Sequence, residues 1–159
     1  MAPTHRQEIA AILAGARAER TALLSRLSPA LRASLPVDAT GITQAIEHLG
    51  ELAGRSDELR RRQARAHQAN PAVLHGRVFG RAPLSPETVT AAFVEGARVR
   101  AGLLAELAGA LGGPDLEDEV AALLAAHPPD ADADARALQA TYAAQEDAAL
   151  LIADRVDAT

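Results

Sequence analysis

Four stretches of the chain keep apolar residues at helical spacing, and proline or glycine lies between each and the next. This pattern constrains the fold more than any other feature, because a period near 3.6 residues gathers one stripe of each stretch onto a single face that must be covered. The first stretch spans residues 4 to about 27, with Thr4 placed to cap it and Ile9, Ile12, Leu13, Ala16, Leu23, Leu24 and Leu27 in register. Ser28-Pro29 ends it, leaving room for a short helical turn over 29–34 before Pro36. The second, from 42 to about 67, carries Ile42, Ala45, Ile46, Leu49, Leu52, Ala53 and Leu59 on one face, with Thr40 or Thr43 as its cap. Its basic end, Arg60-Arg61-Arg62-Gln63-Ala64-Arg65, suits the negative pole of a helix.

Residues 71–84, PAVLHGRVFGRAPL, read as a long connection. Ser85-Pro86 is a strong helix start, and the third stretch runs from there to about residue 111, where Gly112-Gly113 stops it. A shorter helical segment over 115–126 ends at His127-Pro128-Pro129. The fourth stretch covers 132 to about 156, with Leu138, Tyr142, Ala149, Ile152 and Val156 in one stripe. Asp130-Ala131-Asp132-Ala133-Asp134 alternates like a calcium loop, but Ala135 and Thr141 stand where that loop needs glycine and an acid, so it reads as an acidic helix start. The expectation is a single all-α domain over 1–159, a four-helix bundle with a minor helix between helices three and four.

Composition sharpens this. Aromatic residues are only 2% of the chain against 48% apolar overall, so the core must be built from Ala, Leu, Val and Ile. There is no cysteine, which excludes disulfides, thiolate catalysis and sulfur-bound zinc, and no lysine, which excludes Schiff-base chemistry. All 16 basic side chains are arginine, a bias of high-GC bacterial genomes. A net charge of −5 argues against nucleic acid as a partner. With no basic, apolar leader and no apolar run approaching 18 residues, a cytoplasmic protein without a membrane partner is expected.

Polar residues on the apolar stripes are the candidate site. Arg20 falls between Ala16, Leu23 and Leu27. Arg100 falls between Gly96, Leu103 and Leu107, with Phe93 two turns earlier. Gln145 lies among Leu138, Tyr142, Ala149 and Ile152, and His48 sits at the edge of its stripe beside Leu52 and Leu59. A guanidinium cannot be buried without acceptors. Arg20 and Arg100 must therefore reach a bundle end, pair with carboxylates such as Glu19, Glu47 or Glu95, or face a hydrated cavity that takes an anionic or carbonyl-bearing ligand. Arg20, Leu23, Leu24 and Leu27 recur as Arg100, Leu103, Leu104 and Leu107, an echo that suggests equivalent roles for helices one and three.

The runs Ala18 to Leu24, Ile42 to Leu52 around His48-Leu49, and Val99 to Leu104 resemble the DinB-like superfamily, and within it the mycothiol-dependent maleylpyruvate isomerase group. The resemblance covers nearly the whole chain in order and length. It implies a four-helix bundle holding a divalent metal on three histidines, one on helix two and a His-x-x-x-His pair on the last helix. His48 matches the first. The pair would fall at Ala144 and Ala148, or at Gln145 and Ala149, and neither register carries a histidine. His5, His67, His75 and His127 show no matching spacing. The family metal is therefore expected to be lost, with no cofactor in its place, and with it the metal-activated thiol chemistry that the resemblance would imply.

The leading functional reading is a metal-independent enzyme of specialised metabolism or detoxification, of isomerase, cyclase or transferase type. It would act on a small molecule inside the bundle, with His48 and Tyr142 catalytic and Arg20, Arg100, Gln145 and Phe93 binding the ligand. The alternatives are a ligand-sequestering or self-resistance protein using the same pocket, and a structural or regulatory bundle that forms a homodimer through an alanine-rich face.

Overall fold

The computed structural model describes residues 2–34, 39–68, 85–130 and 132–159, and every regular element among them is helical. The connection expected over 71–84 lies outside the described residues. Helix α1 spans His5–Leu24, α2 Pro29–Ser34, α3 Thr40–Leu52, α4 Ser56–Gln68, α5 Pro86–Ala125 and α6 Ala135–Asp157. Among the described residues no helix is long and apolar enough to cross a membrane.

The caps follow from the sequence. Thr4 Oγ1 accepts from the Gln7 backbone N–H, and Gln7 Oε1 accepts from that of Thr4, so a reciprocal capping box starts α1. Asp134 caps α6 by accepting from Ala137 N–H at 2.9 Å. Helix α5 is bent at Gly113, whose φ of 79° only glycine adopts at no cost, and Pro114 then opens a second arm. The break and the shorter helix after it stand where Gly112-Gly113 placed them.

Three expectations are corrected. The second apolar stretch is not one helix but two. Gly54, at φ 70°, ends α3 in a Schellman motif: Arg55 N–H donates to Gly50 C=O at 2.8 Å and Gly54 N–H to Glu51 C=O at 3.1 Å. Ser56-Asp57-Glu58 then restarts the chain as α4 with an acidic first turn. Neither threonine caps α3, which begins at Thr40 itself with no side-chain cap. Leu23, expected on the buried stripe, is 65% exposed. Helix α3 begins opposite Ala16, since a Cβ on Gly41 would lie 2.9 Å from that of Ala16. Leu23 sits two turns farther along α1, beyond the cover of α3.

Helix α1 packs on α3 and α6, α3 also on α5 and α6, and α5 on α6 over the most extensive contact, while α4 rests on α3 and α5. The shared core holds Ile9, Leu13, Ile42, Ile46, Leu49, Leu103, Leu104, Leu107 and Ile152, filled out by buried alanines. Close approach depends on glycine at Gly41 and at Gly50, where Leu59 of α4 occupies the space a Cβ would take. At the rim, the Asp157 carboxylate accepts from the backbone N–H groups of His5 and Arg6, both at 3.0 Å, and ties the end of α6 to the start of α1. Arg62 forks onto Glu106, joining α4 to α5.

Candidate functional site

Small residues at the meeting of α1, α3 and α6 open a cavity of about 290 Å3. Leu13, Ala16 and Ile42 give it apolar walls, and Arg17, Arg20, Gln139, Tyr142 and Glu146 supply its polar groups. Arg17 donates to Glu146 across it. Two guanidinium groups and one carboxylate therefore share the lining.

Behind this cavity lies a chain of buried polar contacts. Gln145, 1% exposed, donates from Nε2 to the Ala97 carbonyl of α5 at 2.8 Å and accepts a longer bond, 3.4 Å, from Arg100 Nε. The Arg100 guanidinium carbon lies 5.2 Å from the centre of the Tyr142 ring, within cation–π range. Gly96 makes this possible, because a Cβ there would come within 3.1 Å of Arg100 Nη1. Arg100 also lines a second cavity of about 280 Å3 with Thr43, Gln63, Ala66, Glu95, Gly96 and Val99. The Arg100–Tyr142 pair thus stands between two cavities, each near the lower end of the roughly 300–1,000 Å3 typical of ligand sites.

The sequence candidates are therefore divided among different places. Arg20 and Tyr142 share the first cavity, Arg100 borders the second, and Gln145 braces the wall between. Phe93 is half-buried against the core and lines neither cavity. His48 is with none of them. It lies near the far end of α3, where its Nε2 is 3.0 Å from Glu8 Oε2. The nine residues from Glu8 to Arg17 on α1 put it about 14 Å from the cavity's arginines at 1.5 Å per residue. Its companion there is His5, whose Nδ1 is 3.4 Å from the same Glu8 oxygen and whose ring centre is 5.7 Å from that of His48.

Sequence reasoning missed Arg17, Gln139 and Glu146 in the cavity, and His5 and Glu8 beside His48. Arg17 and Glu146 carried no signal, being charged residues on solvent-facing positions. His5 and Glu8 did carry one, a spacing of three that puts both on one side of a helix. The three-histidine metal site that the family resemblance implies does not fit this chain. Ala144, Ala148 and Ala149 are buried without a donor side chain, and the Gln145 amide is engaged with Ala97 and Arg100. Comparison of the chain with protein-family models, with curated proteins and with solved structures finds no match.

Proposed function

We propose that this chain is a DinB-like four-helix bundle of the bacterial cytoplasm that binds a small anionic or carbonyl-bearing molecule in the cavity between α1, α3 and α6. The observation that carries this reading is the convergence of Arg17, Arg20, Gln139 and Tyr142 over apolar walls in a space of about 290 Å3. Two arginines among a few placed polar groups suit a compact carboxylate or carbonyl. Tyr142, 2% exposed and held by Arg100 on its face, lines this cavity and brings a phenol, its oxygen buried, beside it. Metal-independent proton transfer, as in an isomerase or cyclase, is the chemistry such a group supports. His48 has no part in this cavity.

The test is native mass spectrometry of the protein after incubation with a bacterial extract, followed by titration of a panel of small mono- and dicarboxylic acids. One retained ligand per chain is expected. Arg20→Ala should weaken it roughly 10- to 100-fold, the worth of one charge-assisted hydrogen bond. Absence of any ligand up to millimolar concentration, or unchanged affinity in Arg20→Ala, rejects the reading. With affinity intact, loss of substrate turnover in Tyr142→Phe separates catalysis from binding.

A further inference from the structure

We infer that His5, Glu8 and His48 form a binding site for a single zinc-like divalent cation, independent of the cavity described above. Three donor atoms, one from each residue, lie within 4.8 Å of one another. Glu8 Oε2 stands between the rings, 3.0 Å from His48 Nε2 and 3.4 Å from His5 Nδ1. In a tetrahedral zinc site with bonds near 2.05 Å, neighbouring donors are separated by about 3.3 Å. Both separations from the carboxylate are close to that edge, and the two imidazoles, whose donors lie within 4.8 Å of each other, must turn toward one another for a cation to meet all three.

The two ring nitrogens point to the same conclusion. His5 Nδ1 and His48 Nε2 are sealed from solvent, and neither makes a hydrogen bond among the described residues. At these distances from a carboxylate oxygen, a ring nitrogen makes no bond when its N–H is misdirected or when it carries a lone pair in place of the hydrogen. Nitrogens that crowd a carboxylate without aiming at it leave buried polar atoms unsatisfied, an arrangement that costs free energy in a metal-free protein. A cation among the three satisfies all of them together.

The chemistry of the donors sets the class of ion. Two imidazoles and one carboxylate suit zinc and its neighbours rather than calcium or magnesium, which need more oxygen ligands. Three protein ligands leave a fourth position for water, and the partial exposure of His48 (21%) and of Glu8 (37%) leaves a way in. The site is fixed from two directions: the Thr4–Gln7 capping box and the Asp157 clamp hold the first turn of α1, and the α1–α3 contact brings His48 to it.

The test uses untagged full-length protein freed of metal with a chelator. Zinc added at micromolar concentration should bind at one ion per chain by calorimetry and remain bound in native mass spectrometry. His5→Ala, Glu8→Gln and His48→Ala should each weaken binding by more than roughly 100-fold, beyond the usual effect of outer-shell changes. His127→Ala, an exposed histidine in the turn after α5, should bind as the parent does. Circular dichroism of each variant in chelator verifies its fold. NMR on the parent protein needs no variant: cobalt(II) should broaden the ring protons of His5 and His48 before those of His127. Failure to bind stoichiometrically, binding undiminished in His48→Ala and Glu8→Gln, or equal broadening of all the histidines overturns the proposal.

Discussion

Adding one methyl group at Gly50 probes how α3 and α4 are joined, and two opposing effects decide the outcome. A Cβ at this position would lie 2.1 Å from Leu59 Cδ1 and 3.5 Å from Leu59 Cγ, and Leu59 is only 3% exposed. Leu59 must change rotamer or α4 must shift, and overpacking of this kind costs about 1–3 kcal/mol. Against it, alanine is favoured over glycine inside a helix by about 1 kcal/mol. The steric term wins by a margin of about 1 kcal/mol. Gly50→Ala should therefore lower Tm by about 2–4 °C for a domain of this size. Leu59→Ala alone should cost about 2–5 kcal/mol, because it empties a buried site. In that background the new methyl enters vacated space, so Gly50→Ala should change sign and stabilise by about 1 kcal/mol. Urea unfolding of the four proteins in this cycle measures the coupling. Stabilisation by Gly50→Ala in the parent, or additivity of the two changes, would refute the packing described for α3 and α4.

Other expectations follow from the same contacts. The Arg6 backbone N–H, joined by that of His5, holds the Asp157 carboxyl below the usual carboxylate range, and the Arg62 guanidinium does the same for Glu106. Groups with lowered folded-state values stabilise above the unfolded value, near pH 4, and lose that contribution as pH falls through the folded value. Tm should accordingly decline on the acid side below about pH 4, and Asp157→Asn with Glu106→Gln should flatten that limb in a series of thermal melts. Leu104→Ala, at a fully buried position of α5, should cost about 2–5 kcal/mol by denaturant titration. Gly96→Ala should disturb only the flexible end of Arg100, so its measured stability should stay within about 1 kcal/mol of the parent while ligand affinity in the neighbouring cavities changes.

Much of the fold was legible because helix boundaries are written locally. Thr4, Ser85-Pro86 and Gly113 each act through the backbone within three or four residues, and each stands at a helix end or break as expected, whereas α1 ends at Leu24, ahead of the Ser28-Pro29 stop. The α3–α4 break was missed because its apolar register carries on from Leu52 to Leu59, and only the single Gly54 marks the turn. The site was less legible, since periodicity tells which residues face inward but not how far along the helix axis they meet a partner. Arg20, Tyr142 and His48 all lie toward the interior, yet the antiparallel run of α1 and α3 carries His48 to one end and Arg20 to the other. The His5–Glu8–His48 cluster joins residues 43 positions apart in sequence, from His5 to His48, and no local pattern encodes that meeting.

The Asp157 clamp also bears on the order of folding. Its bond to His5 joins residues 152 apart in sequence. Closing a loop of that length against chain entropy is the most unfavourable step of its kind among the contacts described, and two exposed hydrogen bonds cannot drive it. The clamp closes only after α1 has docked on α3 and α6 and brought both ends of the loop together. Amide exchange at His5 and Arg6 should therefore follow sub-global opening of α1 rather than local unwinding of its first turn, which makes these two amides reporters for the integrity of the whole helical assembly.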